Sequence, residues 1–107
     1  MSRTTKKKSL LRMVNKELLA KFERYNKRNP KVYQMFVMYS KKLKRSGRKR
    51  YSAWAIVNQV RWEHDIKTYG DKFKISNEYI GLFARKLIDE DASFLGFFRI
   101  KKMKAVV

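Results

Sequence analysis

Lysine and arginine are the side chains of this sequence with the clearest chemical capacity, because both bind phosphate oxygens through charge and hydrogen bonds. The chain has 28 Lys and Arg against 9 Asp and Glu, for a formal net charge of +19. Residues 1–50 contain 18 of the basic residues and only 2 of the acidic ones. A surplus of this size attracts polyanions, so the expected partner is nucleic acid or an anionic surface. The predicted phosphate contacts are the basic residues between positions 41 and 50, namely Lys41, Lys42, Lys44, Arg45, Arg48, Lys49 and Arg50.

A second set of residues has the groups that read base edges in duplex DNA, where Asn pairs with adenine and Arg with guanine. Asn77 and Arg85 lie on a helix predicted over residues 77–90, and they are the candidates for base contacts. The face that we expect to point to solvent also includes Glu78, Tyr79 and Gly81. Further phosphate contacts are predicted for Lys86, Arg99, Lys101 and Lys102.

Residue types that catalyse reactions are sparse. The absence of cysteine excludes disulfides, thiolate metal sites and cysteine nucleophiles, and His64 is the only histidine. There is no glycine-rich phosphate loop. Glu63, Asp65 and Asp71 are the acidic trio that nuclease chemistry would have to use. We therefore predict a protein that is not an enzyme and that holds no metal or cofactor.

Aromatic residues keep open a different mode of nucleic-acid binding. If exposed, Trp54, Trp62, Tyr69 and Tyr79 would stack on unpaired bases, as in proteins that bind RNA or single strands. Tryptophans at helical spacing more often pack in or beside a core, so a structural role is preferred for these two. A further alternative is that the apolar stripe of the first helix docks on an acidic protein partner.

Apolar residues spaced three and four apart predict helices over residues 10–29, 30–45, 53–65 and 77–90. Pro30 suits the first turn of the second helix, and Gly47 ends that helix. Ser52 and Ser76 are the predicted N-caps of the third and fourth helices. Residues 1–9 are predicted to be a flexible basic tail and residues 10–107 a single domain.

Two short strands are predicted over residues 72–75 and 98–101, where polar and apolar residues alternate. The order of elements is typical of a winged helix-turn-helix, in which the fourth helix would enter the major groove. The predicted fold class is mainly α, a compact helical domain of this type with a short two-stranded β element. No apolar run is long enough for a signal peptide or a membrane span, so we expect a cytoplasmic protein without a membrane partner.

Residues 29–104 contain, in order, the blocks NPKVYQMF, GRKRYSAWAI, VRWEHD, GDKFKIS, ARK and GFFR. Together these blocks resemble a family of small, largely uncharacterised proteins encoded by bacteriophages and prophages. The resemblance implies a phage or mobile-element setting and no particular mechanism. The sequence thus predicts a nucleic-acid-binding protein, with double-stranded DNA as the favoured ligand. A host- or phage-protein interaction module and an RNA or single-strand binder remain the alternatives.

Overall fold

Helices form the observed architecture. The computed structural model describes residues 9–67 and 75–98, and these ranges contain four α-helices. They are α1 (Lys16–Arg28), α2 (Pro30–Arg45), α3 (Ala53–Lys67) and α4 (Ile80–Glu90). Short 3-10 helices precede α1, precede α4 and follow α4, at Leu11–Met13, Asn77–Tyr79 and Ala92–Phe94. The predicted mainly helical class is confirmed.

The first helix begins later than predicted. Leu11–Met13 forms a separate 3-10 helix, and Val14 then takes an extended conformation with ψ of 157°. Asn15 caps α1, because its side-chain oxygen accepts hydrogen bonds from the amides of Glu17 and Leu18 at 2.8 and 3.2 Å. The prediction of one continuous helix from residue 10 is therefore wrong.

A carboxylate at the far end of α4 holds the segment that precedes α1. The two oxygens of Asp89 accept hydrogen bonds from the amides of Leu10 and Leu11 at 2.8 and 3.1 Å, and from the Ser9 hydroxyl at 2.8 Å. These amides would otherwise lack partners at the start of the 3-10 helix. The contact spans almost the whole sequence, so no local pattern indicates it.

The other helix starts follow the capping residues of the sequence. Pro30 occupies the first position of α2. The Ser52 hydroxyl accepts a hydrogen bond from the amide of Ala55 at 3.2 Å at the start of α3. The Ser76 hydroxyl accepts one from the amide of Glu78 at 3.2 Å. The predicted N-caps are confirmed, although Ser76 caps the 3-10 helix that leads into α4.

α4 is the central helix of the fold. It contacts α2, α3 and all three 3-10 helices. Its residues 82–85 are buried in succession, so buried side chains surround the helix axis instead of lining one face. The Phe83 ring packs at 5.5 Å from Phe36 and at 5.2 Å from Phe22. α4 therefore stabilises the core and presents little surface to a ligand.

The predicted winged helix-turn-helix type does not fit the described structure. The described ranges contain no strand, and a single parallel bridge joins Tyr51 to Phe98. Phe98 instead packs into the core, with its ring centroid 5.5 Å from that of Phe36 and 5.9 Å from that of Phe94. Gly96 has a φ of +86°, which turns the chain so that neighbouring aromatic residues reach the same core. The other predicted strand residues, 72–74 and 99–101, lie outside the described residues.

Candidate nucleic-acid interface

Residues 41–50 are called here the basic segment. They comprise the end of α2 and most of the loop that leads into α3. Six of its seven cationic side chains are exposed, and Lys44 is half-buried. Within the described part of the chain, none of the six forms an ion pair with an acidic side chain. No acidic residue occurs in the sequence between Glu23 and Glu63. The exposed cations are Lys41, Lys42, Arg45, Arg48, Lys49 and Arg50.

A Schellman motif fixes the middle of the basic segment. The amide of Arg48 donates to the carbonyl of Leu43 at 3.3 Å, and the amide of Gly47 donates to the carbonyl of Lys44 at 3.1 Å. Gly47 has a φ of +102°, a conformation that side-chain-bearing residues rarely adopt. The predicted helix stop at Gly47 is confirmed, and it sets the direction in which Arg48 and the residues after it leave α2.

The loop is also held at its far end. The amide of Tyr51 donates to the carbonyl of Phe97 at 2.9 Å, next to the bridge between Tyr51 and Phe98. The Arg48 guanidinium carbon lies 5.3 Å from the centroid of the Tyr51 ring, a cation–π distance. Because both ends are anchored, the loop carries its cations in a defined place before any ligand arrives.

Lys44 has a structural contact that the sequence did not indicate. Its Nζ donates to the carbonyl and hydroxyl oxygens of Ser93 at 2.9 and 2.7 Å. It also lies 4.7 Å from the centroid of the Phe94 ring. Lys44 thus ties α2 to the 3-10 helix after α4, and this interaction competes with its predicted role as a phosphate contact.

Asp91 completes this contact. Its Oδ1 accepts hydrogen bonds from the hydroxyl and the amide of Ser93 at 2.7 and 3.0 Å. These two hydrogen bonds, with smaller effects from Lys44 and Lys41, lower the pKa of the Asp91 carboxyl. Asp91 therefore caps the last 3-10 helix and places one negative charge beside the basic segment.

Asn77 is exposed, as predicted, but its side-chain oxygen already has a partner. Nη2 of Arg61 donates to this oxygen at 2.9 Å and to the carbonyl of Ile75 at 2.5 Å. Nη1 of Arg61 donates to the Asn58 side-chain oxygen at 3.1 Å. Arg61 therefore joins α3 to the segment that starts α4. Asn77 belongs to this contact, on a different element from the basic segment.

The prediction that Arg85 faces solvent is wrong. Arg85 is 9% exposed, its Nη1 donates to the Gly81 carbonyl at 3.0 Å, and burial lowers its pKa. Tyr79 is also buried, with its ring centroid 5.5 Å from that of Phe22 and 5.0 Å from that of Tyr25. The physical reason is that α4 is enclosed by its neighbours, so its first turns offer no reading face for base edges.

Lys86 is half-buried and has intramolecular partners. Its Nζ lies 3.0 Å from an oxygen of the Glu90 carboxylate and 5.0 Å from the centroid of the Tyr33 ring. The Tyr33 hydroxyl donates to the same carboxylate at 2.7 Å, and burial, followed by this hydrogen bond, raises the pKa of Tyr33. The remaining predicted phosphate contacts, Arg99, Lys101 and Lys102, lie outside the described residues.

The two tryptophans are exposed, whereas their helical spacing favours a structural role in or beside the core. Trp54 is 61% and Trp62 60% exposed, although both lie on α3, whose opposite face is buried. Helical spacing could have placed them on the outer face, because Ile56, Val57 and Val60 already occupy the inner one. Of the other aromatic candidates, Tyr79 is buried and Tyr69 lies outside the described residues.

Other kinds of site find no support in the described residues. They contain no group of three or more His, Cys, Asp or Glu side chains placed to hold a metal ion. None of their helices is long and apolar enough to cross a membrane. Asp71, from the acidic trio considered for nuclease chemistry, lies outside the described ranges.

Comparison of the chain with family models, with curated proteins and with solved structures gives no match. The resemblance to phage-encoded proteins therefore stays a prediction.

Proposed function

We propose that this protein binds nucleic acid without catalysing a reaction, and that the basic segment contacts the phosphate backbone. The observation that carries the proposal is the set of six exposed cations, none of which forms an ion pair with an acidic side chain of the described residues. The Schellman motif at Gly47 and the hydrogen bond between Tyr51 and Phe97 hold these cations in one region. Such a surface suits a polyanion with regularly spaced charges.

The proposed contacts are to phosphates and not to base edges. The predicted base contacts depended on α4 as a reading helix, and most residues of α4 are buried. Phosphate contacts position a protein on nucleic acid but give no direct information about sequence. We therefore propose binding that is independent of base sequence, with double-stranded DNA as one ligand and a phage setting as the predicted context.

Salt dependence tests this proposal. Protein stripped of nucleic acid is titrated against a labelled random duplex, with fluorescence polarisation as the readout. If all six exposed cations contact phosphates, the slope of log affinity against log salt is about −5, at about 0.9 per phosphate. Between about 50 mM and 200 mM salt, the affinity should then fall about a thousandfold.

The same titration can overturn the proposal. An affinity that does not change with salt would contradict phosphate contacts as the main interaction. No binding to any nucleic acid at the lower salt concentration would indicate that the charge serves an acidic protein partner instead.

A further inference from the structure

Trp54 is a large apolar side chain placed on the outside of a well-packed helix. It is 61% exposed, whereas Ile56, Val57 and Val60 on the same helix are each 1% exposed. The helix is fixed at this point, since the Trp54 carbonyl accepts a hydrogen bond from the Asn58 side-chain amide at 2.8 Å. The indole is therefore carried by a helix that packs on the core, while most of its own surface stays in water and is open to a stacking partner.

Trp54 lies close to the basic segment along the chain. It is in the first turn of α3, and only Tyr51, Ser52 and Ala53 separate it from Arg50. The first turn of α3 contains no acidic residue. A molecule bound by the exposed cations of the loop thus meets the indole as its nearest exposed aromatic group on α3.

A cationic loop next to an exposed indole fits one class of ligand better than others. In a single strand, phosphates alternate with unpaired bases whose flat faces stack on aromatic rings. In a duplex the bases are stacked inside the helix, and their faces are not accessible. An acidic protein segment offers charge but lacks the regular flat group beside it.

We propose that Trp54 stacks on an unpaired base of single-stranded nucleic acid while Arg48, Lys49 and Arg50 contact the adjoining phosphates. This inference rests on the proposed function, and it adds a preference for single strands over duplex. Attraction between the cations of the loop and the phosphates holds the strand at this surface. Stacking on the indole makes the affinity for a single strand higher than the affinity for a duplex.

Trp62 provides a matched control on the same helix. It has nearly the same exposure, 60%, but lies eight residues beyond Trp54, about 12 Å farther along the helix axis from the basic segment. Its neighbour Arg61 is engaged with Ile75 and Asn77, and its other neighbour is the acidic Glu63. Trp62 therefore has the same side chain as Trp54 but lies farther from the cations of the basic segment along α3.

The test measures affinities for a labelled deoxythymidine strand of about 16 nucleotides and for a random duplex of equal length. We expect the Trp54→Ala variant to lose about tenfold in affinity for the strand, the effect of one lost base stack. The same variant should bind the duplex as wild type does, and Trp62→Ala should leave both affinities unchanged. Trp54→Phe should keep most of the strand affinity, because phenylalanine also stacks.

Intrinsic fluorescence gives an independent readout, since the chain has only two tryptophans. In a Trp62→Phe variant all tryptophan emission comes from Trp54, and added strand should quench it. In a Trp54→Phe variant the emission comes from Trp62 and should change little. Circular dichroism of each variant verifies that the helices are retained.

The outcomes separate this inference from the proposed function. If wild type binds neither strand nor duplex, phosphate binding itself fails. If wild type binds both equally and Trp54→Ala changes nothing, phosphate binding stands and the role of Trp54 is wrong. Equal losses for Trp54→Ala and Trp62→Ala would likewise contradict a stack placed beside the basic segment.

Discussion

Single side chains decide how charge is distributed at the edge of the basic segment. Lys44 donates to Ser93, Ser93 donates to Asp91, and the carboxylate thus sits within a short hydrogen-bonded chain. These hydrogen bonds engage the Lys44 ammonium group, and they hold the Asp91 carboxylate next to the exposed cations of the basic segment. It also fastens the residues after α4 to the end of α2, so stability and surface charge are coupled here.

Asp91 makes a pH-dependent contribution to stability whose sign follows from its lowered pKa. Hydrogen bonds from Ser93, with smaller effects from Lys44 and Lys41, favour the ionised form in the folded protein. The stabilisation is present above the unfolded pKa of 3.8 and is lost as pH falls through the lower folded pKa. We expect the melting temperature of wild type to fall more steeply through this acidic range than that of Asp91→Asn.

Thermal unfolding followed by circular dichroism checks this expectation. Asparagine keeps a side-chain oxygen for the Ser93 amide, so Asp91→Asn should remain folded at neutral pH. Ser93→Ala removes the hydroxyl donor and should weaken the same pH dependence. Identical pH profiles for wild type and both variants would show that the carboxylate does not act in this way.

For single residues, the sequence predicts the exposure of most charged side chains but not the exceptions that depend on distant contacts. The exposure of Lys41, Arg45 and Lys49 follows from their charge, because ionised side chains are rarely buried. Arg85 is an exception that no local pattern indicates. It lies on α4, which packs against α2, α3 and three 3-10 helices, and one of these is held by the distant contact of Asp89 with Leu10.

The elements that matter most for the proposed interface are the end of α2 and the loop after it. The amides of Gly47 and Arg48 close the helix by donating to the carbonyls of Lys44 and Leu43. The hydrogen bond from Tyr51 to Phe97 then returns the chain to the core. The charged loop is therefore a short, ordered connection, not a long extension.

Gly47→Ala should destabilise the protein by about 1 kcal/mol, because alanine is strained at positive φ. Nothing lies within 4 Å of an added Cβ at this position, so the cost comes from the backbone alone. Urea unfolding measures the effect. Gly47→Asn is the control and should lose less, since asparagine tolerates this conformation better. A Gly47→Ala variant as stable as wild type would contradict the role given to the Schellman motif.

Helix positions are predicted where capping residues are local. The bounds of α2 at Pro30 and Arg45, and the start of α3 at Ala53, match the sequence expectation. The break before α1 does not, because Asn15 reads equally well as an interior helical residue until Asp89 fixes the segment before it. The alternation at residues 98–101 predicts a strand, but Phe98, which alone of these four lies in the described ranges, packs among core aromatics.

At the scale of the whole molecule, the buried helix α4 packs against α2 and α3, and the outer faces of α1 and α2 are basic. α1 and α2 expose many cations, but α1 also exposes Glu17 and Glu23, whereas the basic segment has no acidic residue. The net charge of +19 attracts polyanions to the whole surface, and the local imbalance favours the end of α2. The charge asymmetry could be predicted from sequence; its concentration on an anchored loop required the structure.

The central claim is that the location of charge, and not its total, determines nucleic-acid binding, and a pair of charge-matched variants tests it. One variant replaces the six exposed cations of the basic segment with glutamine. The control replaces six exposed cations on and before α1. Each lowers the net charge of +19 by six. The control positions are Arg12, Lys16, Lys21, Arg24, Lys27 and Arg28.

The measurement is the salt dependence of affinity for both variants, by fluorescence polarisation with duplex and single strand. For the basic-segment variant on the duplex, we expect the slope of log affinity against log salt to be smaller in magnitude than that of wild type by about 5, at about 0.9 for each phosphate contact removed. It should also lose most of its affinity at low salt, while the control keeps the slope of wild type and loses far less affinity. Equal losses in the two variants would contradict a defined phosphate-binding surface and would leave only a general attraction of the charged molecule for polyanions.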